Sequence, residues 1–150
     1  MTKKENRLKL IAPELSARLE QATSPQLRAV ALAACRFALE HTSLADPTIK
    51  EALEALKNAR YGDSGLREKL RLFVNSLDQK QWDLQDLMDE GKADQTSYLA
   101  AFQRARAANS LYFALDADDF SSATEAIYEA NAATNDYTNL IARVLSILDR

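Results

Sequence analysis

The sequence predicts an all-α fold, a single-domain helical bundle of about five to seven helices over residues 1–150. Three observations lead there. Apolar side chains recur at three- and four-residue spacing through most of the chain. Only 3 Gly and 3 Pro are present, too few turn formers for a protein of many short strands. Capping residues stand directly ahead of the periodic runs. With 150 residues, 47% of them hydrophobic, the chain can bury roughly two thirds of its unfolded surface and needs neither metal nor disulfides for a core.

The elements follow in order. Residues 5–22 carry Leu8, Ile11, Leu15 and Leu19 at helical spacing, with Pro13 set to bend or restart the helix. Ser24-Pro25 and Asp46-Pro47 each pair a capping side chain with a proline at the first helical position, where its missing N–H costs nothing. They open helices at about 25–41 and 47–60. Tyr61-Gly62-Asp63-Ser64-Gly65 is the strongest break, and Asp63 or Ser64 can cap the next helix. That helix runs from Leu66 for about 25 residues, with Leu66, Leu70, Phe73, Leu77, Leu84, Leu87 and Met88 along one stripe. Gly91 and Asp94 end it and cap a helix at about 95–115, with Leu99, Phe102, Ala105, Ala108 and Tyr112 on or near its inner side. From Phe120 to Leu148 the three-four alternation continues without interruption, which predicts one helix over 119–149, with Asn131, Asn135 and Asp136 as its weakest points.

Two stretches echo each other. Arg36-Phe37-Ala38-Leu39-Glu40 resembles Tyr112-Phe113-Ala114-Leu115-Asp116, and Ala52 to Ala59 resembles Ala123 to Ala130. A helix, a turn and an alanine-faced helix, used twice, predict a repeated αα-hairpin.

Few residues offer chemistry. Cys35, the one cysteine, lies in an alanine-rich run and reads as a reduced, buried small hydrophobe. His41, the one histidine, stands at a predicted helix C-terminus, where a cation is favoured. One His and one Cys cannot compose a two-His metal motif or a cysteine cluster. No glycine-rich phosphate loop occurs. Glu54 and Glu125, matched by the repeat, are the one candidate carboxylate pair for acid–base work. The expectation is therefore a protein that is no enzyme and has no catalytic residue, cofactor or metal. No apolar run of 18 or more residues and no apolar stretch after Met1 to Arg7 is present, so a cytoplasmic location without membrane insertion is expected.

Charge is uneven. Residues 1–36 hold seven Lys/Arg and three Glu, whereas residues 74–140 hold four Lys/Arg and twelve Asp/Glu. The second half opposes nucleic acid by phosphate repulsion and attracts a basic protein. The basic run Lys3, Lys4, Arg7 and Lys9 suits a frayed, solvated helix or a contact with acid. On the helix from Leu66, Trp82 lies about 140° from Leu77, beside Asp78, Asp86 and Asp89. Such a tryptophan is either covered by another helix or stands out as an interface anchor. The candidate partner-binding residues are thus Asp78, Trp82, Asp83, Asp86, Asp89 and Glu90.

The segment Ala31-Leu32-Ala33-Ala34-Cys35-Arg36, then Asp46-Pro47, Glu51-Ala52-Leu53-Glu54-Ala55 and the closing Gly62, resembles the all-helical immunity proteins of bacterial polymorphic toxin systems. With the later alanine-rich hairpin, the resemblance covers residues 28–62 and 98–134. It implies a cytosolic inhibitor that occludes a toxin domain. The alternative is a structural or adaptor subunit that pairs with copies of itself or joins a larger assembly through helix packing.

Overall fold

In the computed structural model, which describes residues 6–150, eight helices and no strand occur among the described residues. They are α1 (Leu8–Ile11), α2 (Pro13–Glu20), α3 (Ser24–Thr42), α4 (Pro47–Lys57), α5 (Ser64–Asp89), α6 (Gln95–Ala114), α7 (Asp119–Thr134) and α8 (Tyr137–Leu148). The count exceeds the expected five to seven; one division falls at Pro13, where a bend or restart is expected, and the other divides the segment expected as one helix. Pro13, lacking an N–H, starts a new helix after Ala12, whose φ of −147° and ψ of 68° interrupt the first. The long segment 119–149 breaks at Asn135, which takes the left-handed conformation at φ 51°, and Asp136 then caps α8 by accepting from the Asn139 N–H.

Caps set the other boundaries. Asp46, Asp63, Asp94 and Asp118 each accept a hydrogen bond from a backbone N–H of the helix they precede. At α3 the cap is Thr23, one residue ahead of the expected Ser24, because Gln26 closes a reciprocal capping box with it. The predicted helix to Arg60 ends early at Lys57, since Ala59 turns to φ 56°. Gly62 follows at φ 74°, its N–H donating to the Leu115 carbonyl at 2.8 Å. A Cβ there would stand 3.0 Å from that of Ala117.

Small residues place α7 at the centre. Ala31, Ala34 and Ala38 of α3, Ala107, Ala108 and Ala114 of α6, and Ala123, Ala126, Ala130 and Ala133 of α7 are at most 1% exposed. With no long side chains between them, α3, α6 and α7 approach closely. Phe37, Leu111, Leu115, Ile127, Leu140 and Val144 fill the spaces around that alanine layer. Of the two stretches read as copies of one hairpin, α6 and α7 pack along each other, whereas α4 makes its main contacts with α5 and α6. The left-handed Ser43, at φ 52°, ends α3 where the chain departs toward α4.

Cys35 is buried, and burial pushes its thiol from 9.0 up to about 12. The native state thus holds the proton that the unfolded chain releases, so this group's contribution to stability is intact below pH 9.0 and is lost as pH rises toward about 12. The stability difference between the wild type and Cys35→Ala should therefore shrink by about 1.4 kcal/mol per pH unit above that threshold, read by urea unfolding. Gly62→Ala should cost about 1–2 kcal/mol in the same assay, from its positive φ and the close Ala117.

Candidate protein-binding face

Helix α5 is longer than the bundle it packs on. Its buried residues are Leu66, Leu70, Val74 and Gln81, and those of α6 begin only at Ala105. Between residues 75 and 104 Gln81 alone is buried, so the outer parts of α5 and α6 form a two-helix arm. Inside the arm Gln81 Nε2 donates to the Tyr98 hydroxyl at 3.3 Å, which sets the facing register.

A charge network roots this arm in the bundle. Arg106 Nη2 donates to Asp78 Oδ1 at 2.7 Å, and its Nη1 donates to Glu129 Oε2 at 3.2 Å. Glu129 is 1% exposed, and its other oxygen accepts from Arg7 Nη2 at 2.7 Å and Asn109 Nδ2 at 3.0 Å. Arg7 also donates twice to Glu125 Oε2, and its guanidinium lies 4.3 Å from the Tyr128 ring centroid. Burial works against the Arg7 cation, but hydrogen bonds to Glu125 and Glu129 outweigh it and hold its pKa above the ordinary value.

This network corrects several expectations. Asp78 is neutralised by Arg106, with its side chain 18% exposed, and is part of the root of the arm rather than of an open binding face. Arg7 belongs to no frayed run; it is the α1 anchor. Lys3 and Lys4 lie outside the described residues. Glu54 and Glu125 each answer to a separate cation, Lys57 at 3.6 Å and Arg7, and compose no acid–base pair. His41 Nδ1 donates to the Phe37 carbonyl, and its other ring nitrogen stands 3.5 Å from Asp136, consistent with a helix-end role.

Trp82 stands on the arm with 53% of its surface exposed. At about 100° per residue, Asp86 and Asp89 lie within about 40° of it. Asp83 accepts from Gln79 Nε2 at 2.9 Å and Glu90 pairs with Lys92 at 3.3 Å, while Asp86 and Asp89 make no ion pair among the described residues. All four carboxylates are exposed.

Leu99 joins this flank. Its spacing predicts a place on or near the inner side of its helix, yet it is 48% exposed, because the buried residues of α6 begin only at Ala105. Tyr98 faces Gln81, and in an antiparallel pair the next residue on each helix turns to the same flank, so Leu99 and Trp82 share a side. The Asp78–Arg106 pair marks that same flank. The candidate surface therefore joins Trp82 and Leu99 with Asp86 and Asp89, and Asp83 and Glu90 at its margin.

Among the described residues no group of three or more His, Cys, Asp and Glu is placed to hold a metal, and no helix is long and apolar enough to cross a membrane. No family model, no curated protein and no solved structure matches the chain.

Two substitutions separate the root from the surface. Trp82→Ala should change unfolding free energy by no more than about 0.5 kcal/mol, as at surface positions generally. Arg106→Ala should cost about 3 kcal/mol, because it strands the buried Glu129 beside fewer donors. Chemical denaturation of both variants checks the pair.

Proposed function

We propose that this protein is a non-enzymatic protein-binding module that covers a basic partner with the Trp82 flank of its arm. One observation carries the reading: a half-exposed tryptophan on a two-helix projection, flanked by Asp86 and Asp89, which no cation among the described residues neutralises. Tryptophan is enriched among residues that dominate binding energy, since one side chain buries much apolar area at little entropic cost. A Lys or Arg arriving over its ring gains a cation–π contact, and Asp86 and Asp89 offer charge-assisted hydrogen bonds to the same group. The excess acid accelerates encounter with a cationic surface and opposes nucleic acid.

Size extends the footprint. The arm offers a face of about 22 Å by 20 Å, about half of the roughly 800 Å² that each side of a standard interface contributes. The partner therefore also reaches the neighbouring surface of α7, which the Arg106–Glu129 pair brings to this flank. On the resemblance to polymorphic-toxin immunity proteins, the partner is a basic toxin domain, and the protein acts in the cytoplasm by occluding it. A nuclease is the apt kind, because its phosphate-binding surface is cationic.

A photoreactive benzoylphenylalanine at position 82, with a control at the exposed position 146, tests this in cells that make the protein. The expected result is one adduct with a basic protein from position 82 only. Changing Asp83, Asp86 and Asp89 together to Asn should lower its yield about tenfold, as should high salt. Equal labelling from position 146, an acidic partner or no adduct overturns the reading. An adduct of twice the chain mass identifies instead a self-associating structural subunit, a reading that the exposed Leu10 and Leu72 favour.

A further inference from the structure

The other flank of the arm has the opposite character. Residues 75–104 contain three basic side chains, Lys80, Lys92 and Arg104. Lys92 pairs with Glu90, while Lys80 and Arg104 pair with no acid among the described residues. Asp83, one turn beyond Lys80, is instead bonded to Gln79. Lys80 precedes Gln81 in the seam just as Trp82 follows it, so it points about 100° to the opposite side, and Leu77 and Phe73 turn the same way.

These residues meet at one cleft of about 320 Å³ between the arm and the linker from α3 to α4. Its apolar wall includes Phe73 and Leu77, and Lys80 and Arg104 line it from α5 and α6. The linker supplies Ser43, held at φ 52° in a conformation that costs a non-glycine residue energy. Asp46 lines the cleft too, but its Oδ1 accepts from the Thr48 N–H at the start of α4.

We propose that this cleft binds an organic monocarboxylate with an aliphatic tail. Phe73 and Leu77 take the tail, and Lys80 and Arg104 take the carboxylate. Two cations and one carboxylate leave a balance of +2 − 1 = +1 at the lining, which suits a monoanion better than a phosphate dianion. The volume lies near the lower bound of about 300 Å³ for small-molecule sites, so the ligand is small. The same chemistry is available from a free acid or from the C-terminus of a peptide ending in an aliphatic residue. This inference is independent of the Trp82 flank.

Octanoate is the probe, titrated into the full chain and followed by calorimetry and by amide chemical shifts. Saturable binding is expected, with shifts centred on Ser43, Phe73 and Leu77. Octanol should bind at least about tenfold more weakly, and Lys80→Gln with Arg104→Gln should weaken octanoate at least about tenfold, because charge-assisted hydrogen bonds are lost. Trp82→Ala should leave the affinity unchanged. N-acetyl-Leu-Leu with a free C-terminus, compared with its amide, distinguishes the sources: tighter binding than octanoate assigns a peptide end, weaker binding a free acid. Unsaturable shifts, equal affinity for octanol, or an affinity indifferent to the double substitution overturns the proposal.

Discussion

Glu129 is the group around which the rest of the molecule is arranged. A carboxylate 1% exposed in the middle of α7 is tolerable only with its lone pairs occupied, and it finds Arg7, Arg106 and Asn109. Those donors come from α6 and from the residue before α1, and Arg106 extends the chain of contacts to Asp78 on α5. One buried acid thus constrains four helices. Such a network contributes less net stability than its short distances suggest, since desolvating each ion offsets much of the attraction. Its larger effect is on alternatives: sliding α6 along α7 by one turn would take Arg106 and Asn109 from a buried carboxylate and leave it Arg7 alone.

That layer makes the demand more severe. Alanine contacts in α3, α6 and α7 bring backbones close but are nearly featureless along the helix axis, so apolar packing alone discriminates weakly between registers. Charge supplies the missing discrimination at Glu129. A second knot acts just past the C-terminal end of α6. Arg28 lies 3.6 Å over the Tyr61 ring and donates to the carbonyls of Asp116 and Ala117, tying α3 and the turn after α4 to the connection between α6 and α7. With α6 held at its middle by Arg106 and beyond its C-terminal end by Arg28, the α5–α6 pair can extend past the bundle and still be held at its root.

How much of this was legible in the sequence follows from the range of each interaction. Caps are local, so Asp46, Asp63 and Asp94 announced their helices; Thr23 was missed by one residue because its capping box depends on Gln26. Asn135 and Asp136 stand out in the sequence as weak points, but apolar spacing runs through them, and only the left-handed backbone at Asn135 separates α7 from α8. The sequence offers Glu125 as a partner of Glu54 and leaves Arg7 between a solvated helix and a contact with acid, since nothing local names a pair 118 or 122 residues apart. Trp82 was placed on the polar side by helical geometry alone, but its exposure required knowing that no third helix covers the arm. Leu99 fell to the same ignorance in the other direction. It repeats with helical spacing and looks like core, yet its helix has no bundle to face until Ala105.

The arm's two flanks show how charge is sorted once the bundle is fixed. Asp78 is consumed at the root, so the negative field of the Trp82 side is concentrated at residues 83–90, farther from the bundle than the sequence implied. Lys80 and Arg104 sit on the other side of the same two helices, which prevents them from quenching that field at short range. The two flanks are separated by the thickness of one helix, about 10 Å, which is about one Debye length at ordinary salt, so each feels the other's charge in screened form. A cationic surface approaching Asp86 and Asp89 therefore meets a screened repulsion from the far side, as does an anion approaching Lys80 and Arg104. A single αα-hairpin extended beyond its root presents two distinct surfaces, one open at Trp82 and one facing the linker from α3 to α4, because its helices have only one seam to bury.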